Sequence, residues 1–523
     1  MKNKILFLII SAGLFFVTGC KKGFLDVNDN PNAPGKADPA LVLTNALTQT
    51  ASIVSVDYLF LNGTQNYYGS SVRAGTPGPV VTNNFTSADF ANSWLHSYHN
   101  LNDYNYIEKG AASSNKWFLV GVAKIMKALN FQMLVDTYND IPYKEALDLS
   151  NITPKYDKGQ EVYIGILNQL DSAIAILENT PLISGYSPAS ADVMFNGNAT
   201  KWIKFANTLK LRMLLHEFNV SSQKTMIAAG MLKIANDPVG LLGPGESATI
   251  NPGYSTDASS HLSPLYSNIG YGFTGNASLI GATANSYFIG KLNKFNDPRV
   301  GYFYTTNANG KVEGNPLGNG NNAAASYFGG PINLQNSNKL PFGFIPAPGT
   351  NTPTKWGVLQ SPSQSSIILS SWESLFLQAE AVQRGLLPGN AAKLYNDAVT
   401  DNFIYLNVFT DGKTFDPQPA NWAKAYLLQN IANVGWQASS TDPLQAILTQ
   451  KYISLCITAP LESWTDYRRT GYPLDLPFSN SSTRLFNYPY RFIYPQLEYN
   501  TNSQNVESEG QITPVSPKIF WMP

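Results

Sequence analysis

The stretch over residues 441–502 restricts the fold more than any other part of the chain. Asp442 is a helix-capping residue and Pro443 suits the first helical position, where a missing N–H would be unpaired anyway. Leu444, Ile447, Leu448, Tyr452, Leu455 and Cys456 follow at three- and four-residue steps, which gives one apolar helical face. Pro460 is read as the stop of that helix. A second, short helix then carries Glu462, Trp464, Asp466, Tyr467, Arg468 and Arg469. Trp464 and Arg468 are four apart, so the guanidinium can lie on the indole face; Asp466 and Arg469 are three apart and can pair. Glu462 and Asp466 therefore read as an ion-paired knot that locks a helix end against a core. Arginine neighbours lower carboxyl pKa values, the wrong direction for a general acid.

Charged residues make up only 13% of the chain, about half the usual share. With 35 basic and 35 acidic residues there is no net charge, and no basic face is indicated for nucleic acid. Aromatics reach 12% and Asn, Gly, Ser and Thr are abundant. Such a surface fits neutral, polyhydroxylated ligands, which stack on rings and bond to amides. No phosphate-binding glycine loop, H-E-x-x-H or G-x-S-x-G motif occurs. His96 and His99 are three apart, but no third metal ligand accompanies them, and His216 and His261 stand alone. The expectation is a chain with no cofactor, no metal and no catalytic residues.

Lys2 and Lys4 precede an apolar run from Ile5 to Val17, the length of a secretory signal core and too short to span a bilayer. The run ends in Val17-Thr18-Gly19-Cys20, like a bacterial lipobox, with Val17 where leucine is commonest. Residues 1–19 are expected to be removed as a lipoprotein signal peptide and Cys20 to be acylated, for example with palmitate. Losing Lys2 and Lys4 leaves 33 basic against 35 acidic residues, net −2. Each buried acyl CH₂ contributes roughly 0.8 kcal/mol, so more than one chain anchors stably. Residues 20–37 read as a polar tether and 38–523 as one domain. No later segment reads as apolar enough to span a membrane, so the lipid would be its only membrane attachment. Cys456, on an apolar face, reads as an inert core residue.

Helical periodicity is expected over residues 38–56, 88–112, 115–138, 157–178, 200–218, 221–236, 363–385 and 388–402. In the last pair Leu375, Ala379, Val382, Ala391, Tyr395 and Ala398 approach the spacing of a tetratricopeptide unit, with alanines small enough for close helix contact. The fold class is mostly α, with helical pairs as a scaffold. Residues 237–360 differ: glycine, proline and asparagine are dense, and a loop of this length in a compact domain usually carries function. A hairpin is expected from Val300 to Thr306, turning near Asn309-Gly310 into Lys311-Val312. A second irregular patch covers 62–86. Loops on such a scaffold usually carry the ligand contacts. The candidates are Asn66, Tyr67, Tyr68 and Arg73, with Trp94 just after, and in the insert Tyr271, Phe273, Tyr287, Tyr327, Phe328 and Trp356.

The segment E-S-W-T-D-Y-R-R-T-G-Y-P from Glu462 to Pro473, followed by Arg491-Phe492-Ile493-Tyr494-Pro495-Gln496, resembles the closing segment of the SusD/RagB family. Phe24-Leu25-Asp26-Val27, the run E-S-L-F-L-Q-A-E-A-V-Q-R-G from Glu373 to Gly385 and Asn296-Asp297-Pro298-Arg299 are similar to the same family. The resemblance implies tetratricopeptide-like helix pairs with long irregular loops and a few short β-hairpins. It implies an outer-membrane, surface-exposed, nutrient-binding lipoprotein that delivers its ligand to a SusC-like TonB-dependent transporter. A glycan is the expected ligand; RagB-type members bring peptides into range. Ligand residues vary between members, so no position is transferred. A lipid-anchored α/α glycoside hydrolase shares the helices and the rings, but needs one carboxyl held neutral and a second ionised. A pure interaction solenoid is a third reading.

Overall fold

The computed structural model describes residues 37–69, 78–179, 187–270, 283–307, 311–318, 325–326 and 356–523. The chain forms helices α1 (Pro39–Ser52), continued by a π-turn at Ile53–Asp57, α2 (Leu61–Thr64), α3 (Pro79–Thr82), α4 (Ala91–Ser113), α5 (Trp117–Tyr138), α6 (Gly159–Asn179), α7 (Ala199–His216) and α8 (Lys224–Asn236). After these come α9 (Pro264–Ile269), α10 (Ser286–Lys294) and α11 (Val300–Phe303), then α12 (Ser371–Gln383), α13 (Ala391–Leu406), α14 (Pro419–Leu427), α15 (Pro443–Ser454), α16 (Pro460–Thr470), α17 (Gln496–Thr501) and α18 (Ser503–Ser508). Two small antiparallel pairs join β1 (Ile141–Pro142) to β2 (Tyr156–Asp157) and β3 (Ala248–Ile250) to β4 (Ser366–Leu369). Residues Pro39–Pro523 make one compact unit.

Side-chain caps fix where many helices begin. Asn198, Ser370, Asn390 and Asp442 each accept the backbone N–H three residues on, at 3.0, 3.1, 3.0 and 2.9 Å. Successive helices then pack as pairs: α4 on α5, α5 on α6, α6 on α7, and separately α12 on α13 and α13 on α14. Close approach needs missing side chains. A Cβ on Gly121 of α5 would meet Leu177 of α6, and one on Gly230 of α8 would meet Leu214 of α7. Ala379 and Ala398 play the same part between α12 and α13, where both are fully buried. Helix α5 is buried all round and forms the centre of the core. It is long and apolar enough to cross a membrane, as is the stretch Pro39–Thr64, contrary to the sequence expectation; in α5, 94% of that apolar window is buried in the protein.

The closing motif holds the helix pairs together from inside. Arg468 lies over the Trp464 indole, 3.5 Å from the ring centroid, a contact worth about 2 kcal/mol when desolvated. Arg469 pairs with Asp466 and reaches Glu380 of α12, both at 2.6 Å. Lys451, with no exposed surface, bridges Glu462 and Asp466 at 2.8 Å each. Glu462 also faces His216 at 3.2 Å and Arg212 at 3.6 Å. His216 faces Asp136 at 3.3 Å, and Asp136 accepts the Trp521 indole N–H at 2.9 Å. Burial pushes the Glu462 carboxyl up, but Lys451, His216 and Arg212 outweigh it and hold it well below the usual range. The pair is a structural knot, as its spacing implied.

Several boundaries differ from expectation. Pro460 opens α16 rather than ending α15, which stops at Ser454; Pro fits the first helical turn. Residues 366–369 are β4, so the helix expected from 363 starts at Ser371. Val300–Phe303 is a helical turn, not a strand. Asp297 Oδ1 accepts the Arg299 N–H at 3.0 Å and turns the chain there. The expected turn residues 309–310 lie outside the described residues, but Asn307 N–H reaches Lys311 O at 2.7 Å across them.

Candidate ligand-binding site

Two features stand out where the irregular regions meet the helices. The first is a backbone junction. Gly69 N–H donates to Thr283 O (2.7 Å), Ala284 N–H to Ser326 O (2.8 Å), Asn315 N–H to Ala284 O (2.9 Å) and Ser286 N–H to Asn315 O (3.1 Å). Asn285 locks it: its Nδ2 donates to Asn66 Oδ1 and Tyr68 O, both at 3.2 Å, while its Oδ1 caps α10 through the Tyr287 N–H at 2.9 Å. Gly69 and Gly314 sit where any Cβ would collide with the Asn315 and Ala284 carbonyl oxygens, so only glycine lets these backbones meet. The loop that follows the closing motif joins from the other side. Asn66 Nδ2 donates to Pro477 O (2.9 Å), Ser479 Oγ to Val81 O (2.6 Å) and Asn480 N–H to Leu317 O (2.8 Å).

The second feature is a cavity of about 560 Å³ beside α10, within the usual range for small-ligand sites. Tyr287 and Phe295 offer rings, Asn433 and Gln445 amides, Thr449 a hydroxyl, and Lys291 and Asp475 charges. Tyr287 OH donates to Asp475 Oδ1 at 2.8 Å, and Lys291 Nζ pairs with the same oxygen at 2.9 Å while lying 5.1 Å from the Tyr287 ring centroid. Burial would raise the Asp475 carboxyl, but hydrogen bonds from Lys291 and Tyr287 hold it below the usual range. Burial and the Asp475 carboxylate together keep the Tyr287 phenol protonated. Asp475 is the single acid among the described lining residues. An ionised acceptor, fixed rings and amides suit the binding of hydroxyl groups. Glycoside hydrolysis needs a second carboxyl facing the first, and the described lining does not supply it.

Residues 31–495 match the SusD-like_2 family, described as starch-binding and associating with the outer membrane. The chain is a member of the SusD-like family. Its fold is shared with a SusD homologue from Bacteroides fragilis (22% identity, TM-score 0.70, covering 93% of this chain and 100% of that one). A chitin-binding SusD homologue from Flavobacterium johnsoniae is 19% identical at TM-score 0.69, over 92% of this chain and 98% of that one. A chitin-binding protein is 25% identical at TM-score 0.66, over 93% and 100%. No curated protein matches the chain.

In this SusD-like protein the sequence candidates that fall among the described residues divide into three groups. Tyr287 lines the cavity. Asn66 and Tyr68 build the junction rather than facing a ligand: Asn66 is buried with its amide committed on both sides, and Tyr68 OH donates to Phe60 O at 3.1 Å. Tyr67, Trp94 and Trp356 are core residues, correcting the expectation that they present rings outward. Tyr67 is fully buried; its hydroxyl donates to Tyr452 O at 2.6 Å and meets Ser463 Oγ at 2.6 Å. Tyr452 OH returns a bond to Gln65 O at 2.6 Å. Trp94, 3% exposed, packs among Tyr98, Tyr138 and Tyr494. Trp356 packs on Phe409 at 5.6 Å, its indole N–H unpartnered among the described residues. Cys20, Arg73, Tyr271, Phe273, Tyr327 and Phe328 lie outside the described residues.

Lys291, Asn433, Gln445, Thr449 and Asp475 were not singled out by sequence reasoning. Tyr287 and Lys291 stand four apart on one helix, a spacing open to reading. Asp475 and Asn433 come from distant segments and carry no local signal. Among the described residues no group of His, Cys, Asp or Glu is placed to hold a metal, and His96 pairs instead with Asp57 at 2.9 Å.

Proposed function

We propose that this SusD-like protein is a surface-exposed outer-membrane lipoprotein. It captures a neutral glycan in the cavity at Tyr287 and Asp475 and delivers it to a SusC-like TonB-dependent transporter. The observation that carries the reading is the fixed Tyr287–Asp475–Lys291 group opening on amides, a hydroxyl and rings. The family's description as starch-binding and two related structures described as chitin-binding support the glycan class. Binding proceeds by stacking and hydrogen bonding, with no bond made or broken. The anchor is the acylated Cys20.

Calorimetry with N-acetylglucosamine and α-1,4-glucose hexamers tests the ligand. One hexamer binds, and Tyr287→Ala weakens it about ten-fold, the equivalent of about 1.4 kcal/mol. Unchanged affinity in that variant overturns the site, and released reducing ends overturn the binding-only reading. For the anchor, Cys20→Ala is expected to abolish incorporation of labelled palmitate and to shift the protein from membrane to soluble fractions. Retention of both label and membrane association would refute acylation at Cys20.

A further inference from the structure

A second cavity, of about 590 Å³, lies between α13, α14 and the turn that precedes α15. Its wall is the segment 427–438, and that same segment walls the first cavity. Asn430, Gly435 and Trp436 line the second cavity, while Ile431, Ala432 and Asn433 line the first. Asn430 and Ile431 are neighbours in the chain, about 3.8 Å apart between Cα atoms. The two cavities are therefore separated there by one strand of backbone.

The wall is held from several directions. Gln429 Nε2 donates to Phe295 O at 3.2 Å, and Asn296 Nδ2 donates to Gln429 Oε1 at 3.0 Å. Tyr395 OH donates to Val434 O at 2.7 Å, and Gln450 Nε2 to Asn433 O at 2.8 Å. Gly435 packs on the Gln429 carbonyl so closely that a Cβ has no room. The partition is thus a fixed feature of the frame.

The second lining resembles the first in chemistry, with Lys424 as its one charged side chain among the described residues and no ion pair. Trp436 is half-buried, leaning on Tyr395 at 5.3 Å between ring centroids. Leu428, in the same lining, is 76% exposed. Asn396, Thr400, Asn430 and Gln437 line the cavity with side chains bound to no other described group. Apolar faces with uncommitted amides and a hydroxyl match the C–H and O–H groups of a sugar ring. A peptide would look for an open sheet edge or a charged pair, and neither stands among the described lining residues.

We propose that this second cavity is a subsite for further sugar units of the same neutral oligosaccharide, so that one chain is gripped on both faces of the segment 427–438. The proposal rests on the glycan reading of the first cavity and extends it to ligand length. Two engaged cavities on one ligand raise affinity through the effective concentration of the second contact.

Calorimetry on the full chain separates the two readings, using dimers and hexamers of N-acetylglucosamine and of α-1,4-glucose. Trp436→Ala is expected to weaken the bound hexamer about ten-fold and leave its dimer unchanged, whereas Tyr287→Ala weakens both. Leu428→Asp, at an exposed position, is expected to repeat the Trp436→Ala pattern and guards against a folding defect in that variant. Full hexamer affinity in both second-cavity variants, with Tyr287→Ala still impaired, overturns the subsite and leaves the first cavity standing. Equal affinity of the unaltered protein for dimer and hexamer also overturns it. Failure of every oligosaccharide to bind, or a preference for hexapeptides, overturns both readings.

Discussion

Lys451→Met is expected to destabilise the protein by about 3–5 kcal/mol at neutral pH, the usual result of removing one partner from a buried ion pair. Methionine replaces the methylenes and leaves the Glu462 and Asp466 carboxylates, each 2.8 Å from the lost ammonium, largely buried. His216 and Arg212 remain for Glu462, and Arg469 for Asp466, so the knot is weakened rather than dissolved. The effect depends on pH in a definite direction. The folded-state pKa of Glu462 is depressed, so its contribution is present above about 4.5 and is lost as pH falls through the lower folded value. The gap between parent and variant therefore narrows in acid. Denaturation midpoints at pH 7 and pH 3, followed by tryptophan fluorescence, measure it. A variant matching its parent at pH 7 would show that the knot contributes nothing to stability.

Glu217→Gln is expected to do the reverse. Glu217 follows α7, is fully enclosed, and neither carboxyl oxygen has a hydrogen-bond partner among the described residues. Burial pushes its pKa up to about 8, with His216 pulling down and Asp136 pushing up. Against an ordinary value of 4.5, keeping the group neutral at pH 7 costs about 3 kcal/mol, at 1.36 kcal/mol per pH unit. Its contribution is fully present below 4.5 and is lost as pH rises through about 8. His216 acts in the same sense. Burial lowers its pKa, but Glu462 and Asp136 raise it to about 9, so its contribution is intact below 6.5 and is lost as pH rises through about 9. The unaltered protein should thus lose stability steadily on the alkaline side. Glutamine at 217 should add about 3 kcal/mol at pH 7 and reduce the slope between pH 5 and 6.5, leaving the His216 loss above and the smaller losses from other buried carboxyls, Glu373 and Asp57 among them, whose pKa burial also raises. Identical pH profiles for parent and variant would refute this account.

What could be read from the sequence was local. The Asp442 cap, the Arg468–Trp464 contact and the Asp466–Arg469 pair all lie within one helical turn, where spacing dictates geometry. Lys451, on the preceding helix, and Glu380 and Asp136, tens to hundreds of residues away, complete the knot, and no spacing in the sequence pairs them with it. Val300–Phe303 misled because its valine and aromatics favour strands. The buried Arg299 decides otherwise, held by Asp297, Asn402, Gln450 and Ser454. Helix α14 escaped because nine residues give little periodicity to read. At the candidate site, ring-rich composition located Tyr287 but could not say which way a ring points. Tyr67 turns inward because its hydroxyl finds acceptors on the closing motif.

The junction at Gly69, Thr283, Ala284, Asn315 and Ser326 has a consequence for variation. Backbone hydrogen bonds clamp these positions, so a change in chain length beyond them is not transmitted to the helices beneath. Lengthening an excursion there carries only the logarithmic closure penalty, roughly 0.6 kcal/mol per doubling. New specificities can therefore be grafted between the clamped positions while the same frame is reused, and Gly69 and Gly314 are the two positions such grafts must leave intact.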